Sequence, residues 1–297
     1  MTESTLVGSV AGIWRFPVKS MKGERLEHGM FTERGLVGDR VYALIDAETG
    51  KVVSAKSVRL FPELFSCIAE FVEPPQSDAE LPPVRITLPD GATVTSDANN
   101  VDAVLSSSFG RDVTLARAAP DDFTIDQYHP DIEDANPRGH GDTVVEKKLG
   151  AALFAEIGVP SPSPDGTFFD LFPLTVLTAS TVNRLNELQP DSNFDERRFR
   201  MNLIIDTEEA GFVENDWIGH ELALGDAMRI HVAMPDPRCV MTTLAQDELP
   251  RDNEILRALV QHNRLQVGDT GLFPCAGVYA VVQAAGSLRT GDSVSLS

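Results

Sequence analysis

Apolar and polar residues alternate along this chain in short runs, few of them longer than a single strand. From Val7 to Phe71 the runs "VGSVAGIWRFPV", "RVYALIDAETGKVVSA" and "FSCIAEFV" are rich in β-branched and aromatic residues. Turn signals such as "AETGK" break them, which predicts strands. Residues 73–83, "EPPQSDAELPP", predict a proline-rich acidic loop, and "VRITLPDGATVTSD" predicts a hairpin turning at Asp90-Gly91. Helical stretches are predicted in "NVDAVLSSSFG", in "ASTVNRLNELQP" with its closing proline, and in "NEILRALVQHNR", where Ile255, Leu256, Leu259 and Val260 share one side. "FFDLFPLTVLT", "RRFRMNLIIDT" and "ELALGDAMRIHVAM" predict further strands, and "VYAVVQAAGSLRTGDSVSLS" closes as two strands around a turn. Many short strands with few helices predict a mainly β (α+β) fold of β-barrel architecture with peripheral helices. The acidic, loop-like stretch 119–142 is the expected domain boundary.

Length changes this picture little: 297 residues suit one large or two medium domains. Charge changes it more. Against 45 acidic residues stand 25 basic ones, a formal charge of −20, which disfavours nonspecific binding to nucleic acid or anionic membranes. Any cluster of cations therefore stands out. No apolar run approaches the roughly 20 residues of a membrane span, and the start, "MTESTLVGSVAGIWRFPVKS", lacks a signal peptide's basic region. Three cysteines suit a reducing cytoplasm and cannot by themselves build a four-cysteine iron–sulfur cluster.

Cys239 is the sharpest chemical candidate. In "PDPRCVMTTL" it follows Arg238, on a backbone restricted by Pro235 and Pro237. A neighbouring cation favours a thiolate, and a soft thiolate suits a soft or high-valent metal. His231, the nearest histidine, lies eight residues back in a strand. A buried, inert thiol is the alternative. Cys67 is expected to pack in an apolar strand, and Cys275 in packing or a loop.

Read as a strand, "RRFRMN" places Arg198, Arg200 and Asn202 on one face, where two guanidiniums require local acids or a bound anion. Lys19 and Ser20, at the turn in "FPVKSMKGE", could contact phosphate or be a solvated turn. Arg40 has Asp39 as a ready ion-pair partner, and Lys56 in "SAKS" is a further cation. His129, Asp131, Glu133, His140 and Asp142 match no metal-binding spacing, so their segment is expected to be a solvated linker.

Together, "IWRFPVKSMKGE", "GLVGDRVYALID", "FPLTVLTASTVNRLN", "RFRMNLII", "GDAMRIHVAMPDPRCVMTTL" and "GVYAVVQAAGSLRTGDSVSL" resemble proteins with an N-terminal β-barrel domain and a molybdenum-cofactor-sulfurase C-terminal (MOSC) domain. The resemblance is to the mitochondrial amidoxime-reducing component and its bacterial relatives. It implies an N-terminal MOSC-associated barrel over residues 1–125 and a MOSC domain over 126–297. It implies a molybdenum cofactor, a metal on a pyranopterin with a terminal phosphate. Cys239 then matches the metal ligand, and Lys19, Ser20 and Arg40 match contacts to the phosphate end. Thr178, Arg200, Asn202, Arg238 and Tyr279 match other cofactor contacts.

The implied chemistry is reduction of small N-hydroxylated compounds, amidoximes and hydroxylamines. Since the chain ends at "GDSVSLS" without a fused ferredoxin-type domain, a separate ferredoxin, flavodoxin or cytochrome b5 type protein is expected to supply electrons. A mitochondrial targeting and anchor segment is also missing, so a bacterial cytoplasmic form is expected. Pro237 removes one backbone donor often present before the arginine. Two other functions remain open: a sulfur transferase carrying a persulfide on Cys239, and a carrier that binds the cofactor without turnover. Pyridoxal phosphate binding is a further family-level option, although no lysine is identified for it.

Overall fold

The computed structural model describes residues 4–137 and 139–297. Seven strands close into a barrel: β1 (Thr5–Arg15), β2 (Leu174–Thr178), β3 (Leu203–Asp206), β4 (Glu221–Leu224), β5 (Met228–Pro237), β6 (Leu272–Ala284) and β7 (Ser293–Leu296). Around the ring they run β2-β3-β1-β7-β4-β5-β6 and back to β2. Only β2 and β3 pair in parallel. Strand alternation fills the interior. Leu203 and Ile205 point inward among Val10, Ile13, Val176, Leu222, Ile230 and Val278. Ile204 and Leu177, out of phase with them, face a separate cluster with the helices. Burying each such side chain contributes roughly 1.5–3 kcal/mol.

The helices are α1 (Val101–Phe109), α2 (Gly150–Ile157), α3 (Ala179–Leu188), α4 (Glu196–Phe199) and α5 (Glu254–His262). Both α3 and α5 lay their apolar faces on the barrel through Leu185, Ile255 and Leu259. Residues 16–117 surround a second core of Leu44, Leu64, Val84, Ile86 and Leu105. Short ladders build it: Tyr42–Asp46 pairs with Val113–Arg117, and Ile68–Phe71 pairs with the hairpin Val84–Thr87/Thr93–Thr95 predicted at Asp90-Gly91. Because β1 belongs to the ring, the chain's two halves interlock. Gly286–Arg289 likewise pairs with His28–Thr32 near the start.

Three expectations are corrected. The run "RRFRMN" is not a strand. Asp195 caps α4 by accepting from Arg197 N at 2.9 Å, and Arg200 ends it in the left-handed conformation with φ 58°. Arg198, Arg200 and Asn202 therefore share no face. Arg198 is fully buried and donates to the carbonyls of Asn193 (2.8 Å), Leu244 (3.2 Å) and Pro250 (2.9 Å).

The expected linker is only partly one: its ends pair as a hairpin, Thr124–His129 with Thr143–Lys148, while Asp131, Glu133 and Asp142 lie exposed in the loop between them. Ile125 and His129 are buried, and Val52 N and Tyr128 N form its backbone bonds to the neighbouring chain, to Thr124 O and Lys56 O, at 2.9 Å each. An acidic outer face hid this alternation in the sequence. The C-terminal stretch makes three strands rather than two, since Gly286–Arg289 separates β6 from β7.

Candidate functional site

The β5–β6 ladder slips where the chain approaches Cys239. Pro235 is opposite Val278 and Pro237 is opposite Cys275, so the register shifts between them. Prolines cannot donate to a ladder and are tolerated at such a slip. Across it lies Gly277, at φ 77°, where a Cβ would sit 2.3 Å from Met201 Cε. Cys239 emerges from the bulge half-buried and starts the short 3-10 turn Val240–Thr243. Cys67 and Cys275 are fully buried, and burial pushes both thiols up to about 12.

Cations from both halves of the chain gather near this sulfur. Lys19 Nζ, just after β1, donates to Phe168 O at 2.8 Å and to Asp170 Oδ1 at 2.5 Å. Lys56 Nζ takes the other oxygen, Asp170 Oδ2, at 2.7 Å. Burial alone would raise the Asp170 carboxyl, yet the two ammoniums hold it far below the usual carboxylate range. The Lys56 ammonium is raised against burial by Asp170, then by the Cys239 sulfur and Asp236. Burial lowers the Lys19 ammonium; Lys56 and Arg40 add to this, and Asp170 opposes it.

Arg40 pairs with Asp39, as the adjacent residues suggested, and its Nη2 donates to Arg200 O at 3.0 Å. Arg200 is different. Its guanidinium lies 4.3 Å from the centre of the Phe16 ring and 5.3 Å from that of Phe65. No acceptor among the described residues answers its side chain. Burial and then Arg40 push it down to about 9, with Arg238 adding to the effect and Asp39 and Asp170 opposing it.

Arg238 Nη1 pairs with Asp236 Oδ2 at 2.5 Å, while its Nε is buried without a partner. Burial pushes the Asp236 carboxyl up to about 6 despite Arg238 and the hydrogen bond from Tyr279. Tyr279 stacks on Phe172 with ring centres 5.1 Å apart, and burial with Asp236 raises its phenol well above the ordinary value.

Lys19, Arg40, Arg200, Arg238, Cys239 and Tyr279 are thus brought together. Three other candidates have their polar groups engaged inside the protein. Ser20 Oγ accepts from Ala55 N at 3.0 Å. Thr178 caps α3 by accepting from Thr181 N, and its hydroxyl donates to buried Glu214 at 2.5 Å. The Asn202 amide bonds Thr175, Trp14 O and Asp39 Oδ2, so it steadies the partner of Arg40.

Sequence reasoning missed Asp170 and Asp236. Both had a signal: a lone acid inside the apolar run "FFDLF", and another held between prolines in "PDP". An anion-binding group with a soft metal fits what is present. Among the described residues none supplies an acceptor to the Arg200 side chain, and Arg238 Nε is buried without a partner, which buried polar groups seldom are. Cys239 supplies the soft donor.

Residues 7–123 match the MOSC N-terminal beta barrel domain, and residues 164–295 match the MOSC domain. The human mitochondrial amidoxime reducing component 2 is 26% identical over 302 residues, covering 97% of this chain and 83% of that protein. Human mitochondrial amidoxime-reducing component 1 is 23% identical over 305 residues, covering 98% and 83%. The YUAD protein from Bacillus subtilis, a solved structure, aligns with a TM-score of 0.45 at 10% identity, covering 97% of this chain and 94% of that one. With a barrel that matches one domain model, an interlocked first half that matches the other, and relatives aligned over nearly its whole length, the chain belongs to the MOSC-domain proteins that carry an N-terminal MOSC β-barrel domain.

Proposed function

We propose that this protein binds a molybdenum cofactor and reduces N-hydroxylated compounds such as amidoximes and hydroxylamines to the amidine or amine and water. The observation that carries the reading is Arg200: a largely buried guanidinium to which no described residue supplies an acceptor, with Arg40 and Arg238 acting on it. Such a charge is costly unless an anion answers it. When bound, a molybdenum pyranopterin supplies the two-electron exchange and removal of oxygen.

The chain's own groups do the rest. Cys239 offers its sulfur to the metal. Arg200 and Arg238 answer negative charge, with Lys19 and Arg40 beside them, and Tyr279 and Asp236 hold the Arg238 end in place. The reduction consumes two electrons and two protons for each water released. A separate redox protein, of ferredoxin, flavodoxin or cytochrome b5 type, would deliver the electrons. Among the described residues no helix is long and apolar enough to cross a membrane.

Metal analysis of freshly purified protein, paired with dye-driven reduction of benzamidoxime, tests the reading. Stoichiometric molybdenum and turnover are expected, and Cys239→Ala should abolish turnover with an unchanged circular dichroism spectrum. Full activity in that variant overturns the role of the sulfur. Cyanide-releasable sulfur on Cys239 without metal points to sulfur transfer instead.

A further inference from the structure

The ladder slip beside Cys239 is held by groups that lie outside the candidate cofactor contacts. Between the pairs Pro235–Val278 and Pro237–Cys275 lie one residue of β5, Asp236, and two of β6, Ala276 and Gly277. The extra residue therefore belongs to β6, and Gly277, at φ 77°, gives it the form of a glycine bulge. A Cβ there would also meet Val176 O at 2.6 Å, so only glycine fits. Past the bulge the two chains stay bonded, with Arg238 N donating to Pro274 O at 2.8 Å.

A bulge takes an N–H out of the ladder, and a buried N–H left unpaired is costly. Glu214, which is 0% exposed, answers it. Its Oε1 accepts from Gly277 N at 3.1 Å, and its Oε2 accepts from the Thr178 and Thr181 hydroxyls at 2.5 and 2.7 Å. One carboxylate thus joins the barrel bulge to the first turn of α3. The next residue reaches the other end of the bulge. Asn215 Nδ2 donates to Asn263 Oδ1 at 2.9 Å, and Asn263 Nδ2 donates to Cys275 O at 3.0 Å. Glu214 and Asn215 share the 3-10 turn Val213–Trp217, so a single turn grips Gly277 directly and Cys275 through Asn263.

This grip bears on the sulfur through strand register. A one-residue change of pairing turns each side chain of a strand to the opposite face. Pro235 and Pro237 flank the slip, and Arg238 and Cys239 follow it directly. Met201, whose Cε closes on Gly277, also lies with its Sδ 3.9 Å from Arg238 Nη1, so the bulge backs the arginine as well.

We infer that Glu214 is the positioning residue of the candidate site: by holding the Gly277 bulge it sets the register of β5 and so the direction of the Cys239 sulfur. The inference deepens the proposed function. It rests on that reading for what the sulfur binds, and not for where the sulfur points.

Labelling of the cofactor-free full chain with Ellman's reagent reads the sulfur's position without any turnover. Wild type should show one fast thiol, and Glu214→Ala should slow it on the order of 10-fold as the slipped register turns the sulfur toward packing. Glu214→Gln should keep the wild-type rate. Its Oε1 still accepts from Gly277 N, while the Thr178 and Thr181 hydroxyls turn to Ser180 Oγ and Gly211 O. Thr181→Val removes one donor to the same carboxylate and leaves the Gly277 bond, so it should lower the melting temperature without changing the rate. The inference is overturned by the absence of a fast thiol in wild type or by a wild-type rate in folded Glu214→Ala. Equal slowing in Thr181→Val or Glu214→Gln also overturns it. If Glu214→Ala does not fold, Asn215→Ala loosens the Cys275 end alone: slowing supports the inference and a wild-type rate overturns it. If the labelling pattern holds while freshly purified wild type contains no molybdenum, the proposed function fails and the positioning role stands.

Discussion

Arg238 donates through Nη2 to the backbone carbonyl of Phe199 at 2.5 Å, so the residue before the sulfur is tied to the residue before Arg200. Through Nη1 the same guanidinium holds Asp236. The cysteine loop and the left-handed turn after α4 are thereby one unit, although 39 positions separate their ends. Arg238→Ala removes both links and leaves Asp236 buried without its cation. A stability loss of about 3–5 kcal/mol is expected from urea denaturation. A loss under about 1 kcal/mol would show that the pair contributes as little as a surface contact.

Asp236 also sets a pH dependence. Its folded value, about 6, lies above the ordinary 3.8 because burial outweighs Arg238 and Tyr279. Between those values the folded protein keeps a proton that the unfolded chain has lost. This group's contribution therefore falls as pH rises from about 4 to 6. Asp236→Asn should flatten that part of the stability profile relative to wild type; an identical slope in the two proteins would refute the assignment.

The three thiols should differ in reactivity. Cys67 and Cys275 are buried, and their thiols are pushed up to about 12, so at pH 8 both are protonated and enclosed. In cofactor-free native protein Ellman's reagent should titrate one thiol rapidly and reach three only after unfolding. Cys239→Ser should remove the fast one. Rapid labelling of two thiols in the native wild type would contradict the burial of the other pair.

Arg200 is expected to trade stability for binding. Without an anion its buried charge is unanswered, so Arg200→Met should stabilise the cofactor-free protein at pH 7.5 by about 1–3 kcal/mol. The same variant should retain less molybdenum after purification. A variant less stable than wild type at pH 7.5 would mean that an acceptor answers the charge.

Much of the architecture was legible before any coordinates. The hairpin at Asp90-Gly91, the barrel strands β2, β4 and β5, and helices α1, α3 and α5 follow from residue period and turn chemistry, which act within a few residues. The failures share a cause. "RRFRMN" has a strand-like spacing, but a cap at Asp195 and the backbone carbonyls of Asn193, Leu244 and Pro250 around Arg198 override it. The hairpin Thr124–Lys148 has few apolar residues because one face is wet and the other partly polar.

Residue types and local spacing were enough to single out Cys239 beside a cation and to set the barrel's alternation, because both depend on near neighbours. They could not say which acid answers which base. Lys19 finds Asp170 across 151 positions, Arg40 meets the carbonyl of Arg200 across 160, and Asn202 reaches Asp39 across 163. Those partners are chosen by the closing of the barrel around β1, which brings the start of the chain against its second half. The same closure sets Arg200 against Phe16 and Phe65 with no acceptor from the described residues, a property that no stretch of letters displays.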